Sequence, residues 1–140
     1  MKPMIHLGES ASVTRTFSEN DVAFFSQVSG DCNPLHLNEE YAQTTVFKSR
    51  VVHGALLNAL FSSLLGNELP GEGAIYCKQE SSFIKPVYIG EEIHASVIIK
   101  EIIESKNRIV FDTIAKNKKG ETVVKGEAMV LYPHLGKDAS

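Results

Sequence analysis

His53-Gly54-Ala55-Leu56-Leu57-Asn58-Ala59-Leu60-Phe61-Ser62-Ser63-Leu64-Leu65-Gly66 is the stretch on which the fold turns. Its apolar residues extend almost all round a helical projection, so the spacing predicts a central helix buried on most sides. At about 1.5 Å per residue that helix is roughly 20 Å long. Ala55, Ala59, Ser62 and Gly66 form a row of small side chains along it, which lets another backbone come close. Gly66-Asn67 reads as its stop.

Everything after this segment reads as strand. Ala74 to Phe83, Glu92 to Ile103, Arg108 to Lys116 and Thr122 to Leu131 are rich in Val, Ile, Thr and aromatic residues. Glu104 to Asn107 and Asn117 to Gly120 are short connections, so neighbouring strands should run antiparallel. One long apolar helix and an antiparallel sheet bury each other when the sheet curls around the helix, an α+β architecture.

Before the helix the pattern is broken into short pieces. Ala11 to Phe17 alternates as a strand. Ser18 and Asp21 form a capping-box pattern, and Val22, Phe25 and Val28 follow at helical spacing toward Gly30. Asn33-Pro34 signals a turn, because Pro34 disfavours helix at Asn33. Asn38 to Ala42 fits another short helical turn. No repeat or linker interrupts the chain, so one domain over residues 1–140 is expected, with a core from about 11 to 132 and a frayed tail from His134 to Ser140.

Composition narrows the function. The 140 residues are 43% hydrophobic and 22% charged, with a formal net charge of −3. Lys116, Lys118 and Lys119 flank a hairpin turn and make no nucleic-acid patch. No run approaches the roughly 20 apolar residues of a membrane span, and Met1 to Glu9 lacks a signal-peptide core, so a cytoplasmic protein is expected, an organelle being the alternative. Cys32 and Cys77 offer neither a disulfide framework nor a zinc site. The carboxylate beside Cys32 opposes thiolate formation, against a nucleophilic role. His6, His94 and His134 carry no metal-ligand spacing.

The polar interest lies in Ser29-Gly30-Asp31-Cys32-Asn33-Pro34-Leu35-His36 and in Arg50-Val51-Val52-His53-Gly54. On the residues alone, two readings of the first segment stand. Asp31 caps the turn while His36 packs on Pro34, or the carboxylate and imidazole together move protons on a substrate. Gly54 opens the central helix, where backbone N–H groups lack intrahelical partners and a missing Cβ allows close approach.

The Gly-Asp-x-Asn-Pro-Leu-His run with the downstream Val-His-Gly resembles the MaoC-like, (R)-specific enoyl-CoA hydratases. Leu56 to Gly66, Leu69-Pro70-Gly71, Phe83-x-x-Pro86-Val87 and Gly90-Glu91 also match that family in order and spacing, from about Phe17 to Leu131. The resemblance implies a hot-dog fold, a curled antiparallel sheet wrapped around the long central helix. It implies that Asp31 and His36 hold and activate one water for addition to a trans-2-enoyl thioester. It also implies that the Gly54 N–H receives the thioester oxygen. Asn33, His53 and Ser62 are expected to support the site. Leu65 and Val130 are expected near the closed end of an acyl pocket. Arg50 either meets a phosphate of the carrier or is an ordinary surface residue.

The implied substrate is an acyl-CoA thioester, with coenzyme A as part of the substrate and no separate cofactor or metal. A CoA carrier is preferred to an acyl carrier protein, because Lys48 and Arg50 are the only local cations. A homodimer is expected by analogy. Cys32, Asn38 and Ala55 depart from the residues usual in the family, and they bear on substrate fit. Two alternatives are a thioesterase on the same fold and a non-catalytic acyl-binding module.

Overall fold

The computed structural model describes residues 5–133 and Leu135. Strand β1 (Ser10–Thr16) leads into α1 (Glu19–Ser29), then two short helices, α2 (Pro34–Leu37) and α3 (Glu39–Gln43). The long helix α4 (Gly54–Asn67) follows. Strands β2 (Ile75–Phe83), β3 (Glu92–Ile103), β4 (Arg108–Asn117) and β5 (Thr122–Leu131) complete the order. The sheet is antiparallel throughout in the order β1-β3-β4-β5-β2.

Only β3, β4 and β5 are neighbours both in sequence and in space. Strand β1 adds to β3, and β2 crosses to the far side to pair with β5. Alternate residues of β3 to β5 point at α4. Ile93, Ala95, Val97, Ile109, Phe111 and Val124 therefore close over Leu57, Leu60, Phe61, Leu64 and Leu65, all buried. This is the curled sheet around a long helix that the pattern predicts. Gly126 lets β2 lie close, since a Cβ there would stand 1.7 Å from the Glu80 carbonyl oxygen.

Two local expectations need correction, while the expected stop of α4 does not: the helix ends at Asn67, and the Glu68 N–H still donates to the Leu64 carbonyl. Its burial is one-sided: Ala55, Ala59, Ser62 and Gly66 are exposed, since the sheet covers only the opposite face. On α1 the buried positions are Val22 and Ser26, four apart, while Val28 is 70% exposed. As expected, Asn33 is not helical, and Pro34 begins a helical turn. Asn33 caps it by accepting from the Leu35 N–H at 3.0 Å, and proline suits the first helical position.

Leu135 is buried against the core, so the tail is seated at that point. The rest of the expected fray, His134 and residues 136–140, lies outside the described residues.

Candidate active site

Helix α1 ends at Gly30, whose φ of 82° is the left-handed conformation that stops a helix. The chain then turns through Asp31 and Asn33. The Asp31 N–H donates to Ser29 Oγ at 3.1 Å, and Asp31 Oδ1 accepts from the Asn33 N–H at 3.3 Å. Asn33 thus fixes the turn with both its backbone and its side chain. The helical turn α2 presents His36, and the segment before α4 supplies Val51, Val52 and His53.

His36 Nδ1 lies 2.7 Å from the Val51 carbonyl oxygen. A carbonyl only accepts, so this contact assigns the proton of neutral His36 to Nδ1 and leaves Nε2 as a proton acceptor. The segment carrying Val51 is itself anchored: its N–H reaches the Leu35 carbonyl at 3.4 Å, and the Val52 N–H reaches the Val87 carbonyl at 2.7 Å.

His53 sits beneath the pair and is almost wholly buried. Its ring stacks on His36 with centroids 3.9 Å apart and planes inclined by 27°. Its Nε2 lies 3.1 Å from Ser26 Oγ and 3.2 Å from the Asp31 carbonyl oxygen, and among the described residues its Nδ1 has no partner. A proton on Nε2 satisfies the Asp31 carbonyl and leaves only a lone pair unmatched at Nδ1. A second proton would bury an N–H without an acceptor. Burial, and then the neighbouring His36 charge, lower the His53 pKa from 6.5, against the opposing pull of the Asp31 carbonyl. His53 therefore touches both members of the pair through separate contacts, and it makes no side-chain cap to α4.

Asp31, His36 and His53 bring ligand-type atoms within 4.8 Å of one another. Zinc–nitrogen bonds near 2.1 Å require ligand atoms about 3.4 Å apart around a tetrahedral ion.

Gly54 is the first residue of α4, and its N–H has no acceptor among the described residues. Beside it and His36 opens a cavity of about 440 Å³, walled by Phe47, Val51, Leu57, Phe83, Ile84 and Val87 among others. A Cβ on Gly54 would stand 2.9 Å from the Phe83 ring. The sequence marks Phe83 only as part of the Phe83-x-x-Pro86-Val87 match and does not place it at the site, and it gives Ser26 no role. The signal for Ser26 was a polar residue four positions after Val22, on the core-facing side of α1.

The remaining candidates fall elsewhere. Ser62 is exposed on the small-residue face of α4. Leu65 and Val130 are buried in the main core and do not line this cavity. Arg50 is engaged within the chain: it pairs with Glu19, and its Nε lies 3.6 Å from Glu39. It ties α1 to α3 and offers no free cation at the cavity mouth. Cys32 is exposed, and its thiol points toward the Ser26 carbonyl at 3.9 Å.

Comparison with known proteins agrees with this geometry. An (R)-specific enoyl-CoA hydratase from Rhodospirillum rubrum is 44% identical over 92% of this chain and 89% of its own length. A mitochondrial 3-hydroxyacyl-[acyl-carrier-protein] dehydratase from Arabidopsis thaliana is 36% identical over 96% of this chain and 81% of its own. The solved (R)-hydratase of A. caviae involved in PHA biosynthesis superposes with a TM-score of 0.89 at 41% identity, covering 92% of this chain and 98% of that one. The sheet curled round α4 is the hot-dog fold of these neighbours. The family described as "MaoC like domain" matches residues 6–122, a span that contains Asp31, His36, His53 and Gly54, and the chain belongs to that family.

Proposed function

We propose that this protein is an (R)-specific enoyl-CoA hydratase, adding water reversibly and syn to trans-2-enoyl-CoA to give (R)-3-hydroxyacyl-CoA. One observation carries the reading: the Val51 carbonyl engages His36 Nδ1, and a ring nitrogen of His36 lies within 4.8 Å of an Asp31 carboxylate oxygen, close enough for one water to meet both.

The chemistry follows from those groups. In an α,β-unsaturated thioester, C3 accepts the nucleophile and negative charge builds on the thioester oxygen. Water held between Asp31 and His36 loses a proton to one of them as it adds to C3. The proton then reaches C2 from the same face, which makes the addition syn. The unpaired Gly54 N–H, at the positive end of α4, receives the developing oxyanion. The apolar walls of the adjoining cavity suit an uncharged acyl chain. No separate cofactor enters the scheme, because coenzyme A arrives as part of the substrate.

The active form in this reading is a homodimer. Strand β2 is an edge strand, with Ile75, Tyr76 and Phe83 exposed, and the small face of α4 is bare. A second copy meeting both surfaces buries them together. Size-exclusion chromatography with light scattering tests this directly, and a monomer that hydrates at full rate refutes it.

The deciding experiment adds purified protein to crotonyl-CoA and follows loss of enoyl absorbance, thiol release, and the chirality of the product. Absorbance loss without free thiol, yielding the (R) product, is expected. Thiol release would establish the thioesterase alternative. The same assay on an acyl-carrier-protein thioester decides the carrier, with CoA expected to be the better substrate.

A further inference from the structure

A chain of hydrogen bonds that takes no part in the proton chemistry runs between β2 and α4. Tyr76 donates its hydroxyl to Gln79 Oε1. That contact assigns the Gln79 amide, whose Nε2 then donates to Ser81 Oγ at 2.9 Å and to Thr113 Oγ1 at 3.0 Å. Ser81 in turn donates to Asn58 Oδ1 at 2.8 Å. Gln79 Nε2 also lies 3.2 Å from the Glu80 carbonyl oxygen, and the side-chain contacts lead from the sheet edge to the helix. Thr113 is buried, and Gln79, Ser81 and Asn58 are half-buried, so an apolar sheet–helix interface is crossed here by polar groups. Packing alone would be served better by aliphatic residues.

The end points show what the chain holds. Asn58 lies four residues after Gly54, on the same face of α4. Ser81 lies two residues before Phe83, on the same face of β2. Four helical residues rise about 6.0 Å and two strand residues about 6.6 Å. The two elements are therefore matched in step: where Ser81 meets Asn58, Phe83 falls against Gly54, as its 2.9 Å approach to the Cβ position records. Within one copy β2 is an edge strand, bonded along one side to β5, and the Ser81–Asn58 contact ties it directly to α4.

We propose that the Ser81–Asn58 hydrogen bond is a positioning device that holds β2 in step with α4, so that the Phe83 ring forms the fixed wall of the slot in which the Gly54 N–H receives the thioester oxygen. The idea rests on the oxyanion role of Gly54 given above. Asn58 and Ser81 touch no reacting atom in this scheme and act through Phe83.

The test compares wild type with Asn58→Leu, which keeps the volume and loses the acceptor, Asn58→Asp, which keeps an acceptor, and Ser81→Ala. Each is assayed for kcat and KM on crotonyl-CoA, with melting temperature measured on the same sample. A misplacement of about 1 Å costs on the order of 10²-fold in rate, so a partial slip should lower kcat roughly 10-fold in Asn58→Leu and Ser81→Ala. KM should change little, and Asn58→Asp should recover most of the loss. In a Phe83→Ala background, Asn58→Leu should have no further effect on kcat. Lower melting temperature with unchanged kcat would overturn the proposal, as would additive losses in the double variant. A wild type that hydrates crotonyl-CoA normally while these variants do too refutes the positioning role alone. A wild type without hydratase turnover refutes the function and this role together.

Discussion

The imidazoles of His36 and His53 lie face to face, 3.9 Å apart, with one ring held on the Val51 carbonyl and the other on the Asp31 carbonyl. The stack connects the two groups assigned to the water, which are five positions apart in sequence and make no direct hydrogen bond to each other. Burial disfavours a charge on the His53 ring, the inner member of the stack.

Removing either partner of the water should be severe. Asp31→Asn or His36→Gln is expected to lower kcat for crotonyl-CoA hydration by at least roughly 10²-fold, the usual scale of general acid–base contributions. Fold and oligomeric state, followed by circular dichroism and light scattering, should be unchanged. Near wild-type turnover in either variant refutes the assignment.

His53 gives a pH signature of its own. Its folded-state pKa lies below 6.5, chiefly through burial, so between those values the unfolded chain binds more protons. Stability contributed by this group is therefore present above about pH 6.5 and is lost as pH falls toward the folded value. The melting temperature should drop on acidification across that window, and less steeply in His53→Gln, which retains an N–H donor. Identical slopes in the two proteins would show that His53 is not the group responsible.

Gly54 faces two constraints at once, the substrate and the Phe83 ring. Gly54→Val should lower kcat/KM by about 10²-fold or more, near the range for loss of one oxyanion donor. Gly54→Ala combined with Phe83→Leu separates the causes, because the smaller side chain leaves room for the Cβ. Recovery of turnover in the double variant would mean that the glycine serves only to accommodate the ring. Loss beyond that of Phe83→Leu alone is expected, and it supports the oxyanion role.

Arg50 is expected to act on stability and not on carrier binding. Partly exposed ion pairs contribute about 0–1 kcal/mol, so Arg50→Gln should lower the melting temperature slightly and leave KM for crotonyl-CoA within about twofold. A KM rise confined to CoA thioesters, and absent with a short pantetheine thioester, would instead place Arg50 on the nucleotide phosphates.

Leu65 and Val130 carry the chain-length question. Both are closely packed, so Leu65→Ala should cost about 2–5 kcal/mol of stability. If the acyl chain extends that far, the opened volume should raise relative kcat/KM on six- to eight-carbon enoyl-CoA, each added methylene contributing roughly 0.8 kcal/mol. An unchanged profile in Leu65→Ala and Val130→Gly would confine the acyl chain to the cavity beside Phe83.

The sheet was readable because Val and Ile alternate cleanly through β3, β4 and β5, and the observed strand ends differ from the expected ones by a residue at most. Asp31, His36 and Gly54 stood out through the resemblance of their runs to the MaoC-like hydratases, because on the residues alone turn capping and a helix start account for them as well. Val28 misled, since its helical spacing from Val22 and Phe25 is apolar yet it faces outward, while Ser26 takes the inner position to meet His53. Phe83 over Gly54 and Ser81 on Asn58 left no trace in the pattern. They depend on β2 crossing to the far edge, a choice made by the whole sheet and not by any neighbouring residues.

That crossing also sets a schedule for synthesis. Strand β2 emerges from the ribosome well before β5, the strand it pairs with, because about 50 residues separate Phe83 from Leu131. At about 5–20 residues per second, the nascent chain carries an unpaired β2 and the bare apolar face of α4 for roughly 3–10 s. A change in β5 that slows its pairing prolongs that exposure.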